Sequence, residues 1–215
     1  MDKIRDLCTE YDRLHVKYGG RGLEPIYFGG KSEEPEMCFV FMNPTSRNIA
    51  AAAGWAGVRA PWIGTKNIWK LFYKLALLDG ELYNDIQRRK PNEWDEEFAE
   101  RVYGEVERRG YFVTNLAKCT QPDARALHNR VFCEYLPIFE REMALVRPKK
   151  IVTFGNQVSS IFLGKKIEVS KCRGVSFEKI IDGETYSVWP TYYPVGQGMR
   201  NMGLVVEDII KIMET

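Results

Sequence analysis

Apolar residues recur along this chain with two different periods, and the alternation between them predicts an α/β domain. Residues 1–18 put Ile4, Leu7, Tyr11 and Leu14 on one face at three- and four-residue steps, a helix pattern. Gly19-Gly20 ends it, and Gly29-Gly30 and Pro35 mark a loop. The first strand is the apolar run Met37–Met42, rich in β-formers and of strand length. It stops at Asn43-Pro44, because Pro44 donates nothing to a ladder and pushes Asn43 out of helical geometry. An irregular piece, Thr45–Thr65, then holds Gly54-Trp55, Gly57, Pro61-Trp62 and Gly64. Exposed, it would waste two tryptophans, so it reads as a lip over the strand ends. Asn67–Leu78 is a helix with Ile68, Leu71, Phe72 and Leu75 facing inward. Residues 79–110 are charge-rich, with Glu93–Arg109 a solvated helix that Pro91 starts.

Tyr111–Leu116 is the second strand, and Ala126–Val146 a helix with Leu136, Phe139, Met143 and Val146 in register. Arg147-Pro148 ends it, Lys150–Phe154 is the third strand, and Gly155-Asn156 opens a short helix through Leu163. Val175–Ile181 and Thr185–Trp189 read as a hairpin across Asp182-Gly183. A loop over Pro190–Gly203 leads to a last helix, Leu204–Met213, with Val205, Ile209 and Ile212 aligned. Strands alternating with helices predict a three-layer αβα sandwich around a central, mainly parallel four-stranded sheet. One domain over residues 1–215 is expected from the length.

Composition changes this picture little. A hydrophobic share of 45% is ample for a core, and a charged share of 28% suits a protein in water. The net charge of +2 argues against a polybasic tail, but not against one basic face. No apolar stretch approaches membrane-spanning length and the N-terminus lacks an apolar signal core, so a cytoplasmic protein is expected; a monomer is expected as well. Five cysteines without tight spacing are not a disulfide framework.

Candidate chemistry sits in three stretches. Asn43 closes the first strand, at the rim where open α/β sheets collect ligands. In VTNLAKCTQP (Val113–Pro122), Asn115 closes the second strand in the same way and Lys118 follows in the loop. In WPTYYPVGQGMRN (Trp189–Asn201), Gly196 and Gly198 let backbone N–H groups approach an anion. Gln197 and Met199 are presented at that loop's tip, with Arg200 and Asn201 behind. Each has an ordinary counterpart: a capped strand, a glycine turn, an N-capped helix. Carboxamides at two strand ends, an aromatic lip and an anion-friendly loop are harder to dismiss together.

In this order, MNPTSRNIA, VTNLAKC and PTYYPVGQGMRN resemble the three signature motifs of the uracil-DNA glycosylase superfamily. MNP resembles the first motif of the single-strand-selective and mismatch-specific uracil glycosylases. TNLAKCTQP followed by KKIVTFGNQ is similar to the family 4 pattern. The resemblance spans roughly residues 37–213 by the element order of such a sheet. It implies a monofunctional DNA glycosylase that flips uracil or a related pyrimidine and directs water at the sugar. Asn43 would position that water, and Asn115 would read the Watson–Crick edge with one donor and one acceptor. Trp62, or else Trp55, would stack on the base, with Met42 and Thr45 lining the site. Lys118, Pro194, Gly196, Gln197, Gly198, Met199, Arg200 and Asn201 would contact DNA, the loop tip wedging into the gap.

Two departures from the family pattern stand out. Tyr193 occupies the usual place of a histidine that donates to the base oxygen. Thr45 stands where the efficient family 1 enzymes carry a tyrosine that blocks C5 substituents, which predicts tolerance of C5-modified pyrimidines. No cofactor is expected. Family 4 enzymes carry a four-cysteine iron–sulfur cluster, and Cys119 and Cys133 fall close to two of those ligands. The N-terminal C-x-x-C pair is missing, with Cys8 alone and Tyr11 three residues on, so a remnant pair is the simpler reading. The alternatives are a glycosylase against bulky modified bases in foreign DNA, a non-catalytic binder of modified DNA, and a nucleotide-binding α/β protein. Against the last, no G-x-G-x-x-G or P-loop run follows the first strand.

Overall fold

A computed structural model of the chain describes residues 2–215 and all their side chains except those of Asp2, Lys3 and Arg5. Four strands form a parallel centre: β2 (Met37–Phe41), β3 (Tyr111–Asn115), β4 (Lys150–Phe154) and β6 (Glu184–Thr191). Two antiparallel edge strands, β1 (Phe28–Gly30) and β5 (Phe177–Ile181), extend the sheet to the order β1-β3-β2-β4-β6-β5. The sheet therefore has six strands and not the four expected. The missing edge was hard to read because Phe28-Gly29-Gly30 offers almost no side chain to pack. Glycine is required there by crowding: a Cβ on Gly29 would lie 2.2 Å from the Tyr103 ring.

Both faces of the central strands are buried, as a parallel sheet demands. From β2, Met37, Phe39 and Phe41 enter one core, and Cys38 and Val40 the other. The first core is closed by α2 (Asn67–Lys74), α3 (Gly80–Arg88), α4 (Glu96–Arg108) and α8 (Met202–Glu214). The second is closed by α1 (Asp2–Tyr18), α5 (Asn129–Val146) and α6 (Asn156–Leu163). The remaining helix, α7 (Val169–Cys172), is a single turn.

Helix ends account for most boundary differences. The charge-rich stretch 79–110 holds two helices and not one, because Asp79 caps α3 by accepting from the Glu81 and Leu82 N–H groups. Those N–H groups also hold the Asp79 carboxyl below its usual range. Asp95 caps α4 in the same way through Phe98. Among the described residues, no helix is long and apolar enough to cross a membrane.

Candidate active site at the strand ends

Parallel pairing puts the C-terminal ends of β2, β3, β4 and β6 on one rim. Asn115 pairs with Phe41 at the last rung, so the Asn115 carboxamide shares a face with the Phe41 ring. Beyond the sheet the two chains stay joined. Leu116 N–H donates to the Phe41 carbonyl at 2.8 Å and Ala117 N–H to Met42 at 3.0 Å. Further out, Gln121 N–H donates to Pro44 and Ser46 N–H to Gln121, with Thr45 and Gln121 in a parallel bridge. The first two motifs thus form one zipped unit that fixes Asn43 relative to Asn115.

The two carboxamides differ in their bonding. Asn43 is half-buried and its side-chain nitrogen donates to the Pro44 carbonyl at 3.0 Å. Asn115 is 2% exposed, and its side-chain nitrogen has no hydrogen-bond partner among the described residues. A buried amide donor left open is costly, on the order of 1–3 kcal/mol. Such a group is a candidate ligand contact.

Aromatic rings surround this end of the sheet. Phe41 stacks on Phe154 with centroids 4.4 Å apart, and meets Trp62 at 4.9 Å and Tyr193 at 6.2 Å edge to face. Trp62 lies in the lip, whose backbone is stapled from within. Arg59 donates to the carbonyls of Ala50, Ala52 and Trp55, Asn48 donates to Ala60, and Tyr103 donates to Pro61. Trp62 itself has φ 71°, a left-handed conformation that a bulky side chain rarely adopts. Holding it costs about 1–3 kcal/mol, and such strain clusters at functional sites. Its indole N–H is also buried without a partner among the described residues.

The third motif leaves the end of β6. Thr191 donates to the buried Asp208 carboxylate at 2.7 Å, and Arg173 donates to both oxygens of that carboxylate. Burial pushes the Tyr193 hydroxyl pKa well above its usual value, so the group stays a donor across the neutral range. Gly196–Asn201 is a 3-10 turn and not an open loop. Gly198 packs so closely that a Cβ there would lie 1.8 Å from the Tyr193 carbonyl oxygen. Gly196, Gln197 and Arg200 are exposed, and Pro194 is buried beneath them.

Three expectations need correction. Lys118 is fully buried and paired with Glu142 at 2.8 Å, so its ammonium is out of reach of a phosphate. Met42 packs against the second core and not beside Asn115, because strand alternation turns it to the opposite layer from Phe41. Met199 is half-buried against the first core, which leaves Gly196-Gln197 as the loop tip. Cys119 and Cys133, read from the sequence as a remnant pair, differ in setting. Cys119 is buried facing Tyr135, Cys133 is exposed, and no three metal-type donors converge among the described residues.

Other residues at the site escaped sequence reasoning. Phe41 read as ordinary strand, yet it is the ring that the others gather on. Glu142 gave one signal, a carboxylate on the same helical face as Phe139, Met143 and Val146. Thr191 and Asp208 gave none.

The family model of the uracil DNA glycosylase superfamily matches residues 29–212. The chain is 30% identical over 116 residues to a type-4 uracil-DNA glycosylase of Sulfurisphaera tokodaii, covering 51% of this chain and 52% of that protein. It is 32% identical over 93 residues to a type-4 uracil-DNA glycosylase of Saccharolobus solfataricus, covering 41% and 43%. The matches span about half the length of these curated relatives.

Proposed function

This chain belongs to the uracil DNA glycosylase superfamily, and we propose that it is a monofunctional glycosylase hydrolysing uracil or a related modified pyrimidine from DNA. The observation that carries this reading is the buried side-chain nitrogen of Asn115, without a partner among the described residues, on the rim that Asn43, Trp62 and Tyr193 share. A flipped pyrimidine offers the acceptor that this amide lacks, and the amide oxygen accepts from the imide N–H.

The residues divide the work by chemical type. Trp62 gives the base an aromatic surface, held ready by the stapled lip. Asn43 directs a water at the anomeric carbon through its carboxamide oxygen. A carboxamide is a weak base, so the rate rests on an oxocarbenium-like sugar and on stabilising the departing base anion. Tyr193 donates its hydroxyl to the base oxygen where that charge grows. Water adds across the cleaved C–N bond, leaving an abasic sugar and the free base. Gly196, Gln197 and Arg200 hold the strand's backbone. Thr45, small beside the base, admits a C5 substituent. A second reading, capture of modified DNA without cleavage, draws on the tyrosine at 193 in place of an imidazole.

Labelled oligonucleotides carrying uracil, 5-hydroxymethyluracil, hypoxanthine or a bulky modified cytosine test both readings. After incubation and hot alkali, breaks at uracil and at 5-hydroxymethyluracil are expected. Breaks at uracil alone would remove the role given to Thr45. Tight binding without breaks on any substrate would favour capture.

A further inference from the structure

Behind the rim lies a buried polar network that the proposed reaction does not use. The Glu142 carboxylate accepts from the Tyr11 hydroxyl at 2.7 Å, from the Thr114 hydroxyl at 2.6 Å and from the Lys118 ammonium at 2.8 Å. Lys118 divides its three protons among Glu142, the Thr114 hydroxyl oxygen and the backbone carbonyl of Asn115, the last at 2.6 Å. Lys118, Glu142, Thr114 and Tyr11 are all fully buried, and the rings of Tyr11 and Phe139 lie about the ammonium.

A buried ion pair is a weak device for stability, since apolar side chains of similar volume pack as well without the desolvation cost. What an apolar pair lacks is a directed donor. Here that donor goes to the carbonyl of Asn115, the last residue of β3, where the ladder with β2 ends. We propose that Lys118, held by Glu142, Tyr11 and Thr114, is a positioning residue that fixes the Asn115 backbone and so aims its side-chain amide at the flipped base. The inference rests on the glycosylase reading above and deepens it. A ligand contact displaced by about an ångström loses up to a hundredfold in rate, and the strand end has no other polar brace on this side of Asn115 among its described side-chain bonds.

The test is a double-mutant cycle in the full chain. Single-turnover uracil release from a labelled oligonucleotide is measured for Lys118→Met/Glu142→Leu, with Asn115 intact and with Asn115→Ala. The charge-free pair is expected to melt cooperatively and to release uracil roughly tenfold more slowly at saturating protein, with its KM for DNA within about twofold of wild type. In the Asn115→Ala background the same pair should change the rate by less than about twofold. A wild-type rate for the pair overturns the inference, as does an equal fall in both backgrounds. If the pair does not fold, Thr114→Val is read in the same two backgrounds, and only a fall confined to intact Asn115 supports positioning. A wild-type chain that releases no uracil overturns the glycosylase reading and this inference with it, before any substitution is made.

Discussion

Tyr193 is where this site departs furthest from its family pattern, and its protonation state makes the departure measurable. Burial keeps its hydroxyl protonated far above neutrality, whereas the same burial would hold an imidazole there below its ordinary value of about 6.5. Uracil release by the wild-type chain should therefore show no inflection from this group between about pH 6 and 9. Tyr193→His should introduce one below about pH 6.5, read from single-turnover rates between about pH 5 and 9. Asn43 and Asn115 were legible as candidates because proline or loop residues follow them at the end of an apolar run. Lys118 was not. Its partner Glu142 lies 24 residues on in another element, and burial of a lysine is a tertiary fact with no local signature.

At the level of elements, the turn of the third motif makes the sharpest prediction. Gly198 lies against the Tyr193 carbonyl, a backbone atom that no rotamer change can move aside. Gly198→Ala should displace the turn, raising KM for DNA by about tenfold and costing about 1–3 kcal/mol of stability, as overpacking does. A KM unchanged in a steady-state titration would mean that the turn does not touch DNA. The lip over Thr45–Thr65 was readable as a wall because two tryptophans needed cover. Its rigidity was not, since it comes from Arg59 and Asn48 donating to backbone carbonyls that no pattern marks. The zipping of Pro44–Ser46 to Gln121 was equally hidden, because loops carry no period from which pairing can be inferred.

For the molecule as a whole, the parallel centre of the sheet was legible from apolar runs separated by helices, and the edges were not. Phe28–Gly30 is too short and too glycine-rich to carry a strand signal, and it pairs only because β3 presents an open edge. The two cores bury many tyrosines, and this sets the alkaline limit of the fold. Desolvation raises the hydroxyl pKa of Tyr11, Tyr103 and Tyr111. A group whose folded pKa is raised gives stability that is complete below its unfolded value, about 10, and is lost as the pH rises beyond it. Phenolate absorbance should thus appear cooperatively with unfolding above about pH 10, and a gradual rise in a folded protein would contradict the burial. The hydrolysis proposed here is tested by uracil release from a single labelled oligonucleotide by the wild-type chain and by Asn43→Ala. An alkali-sensitive site at the uracil is expected with wild type, a rate lower by roughly a hundredfold or more with Asn43→Ala, and equal DNA binding by both. Equal rates, or no abasic site from the wild-type chain, would contradict it.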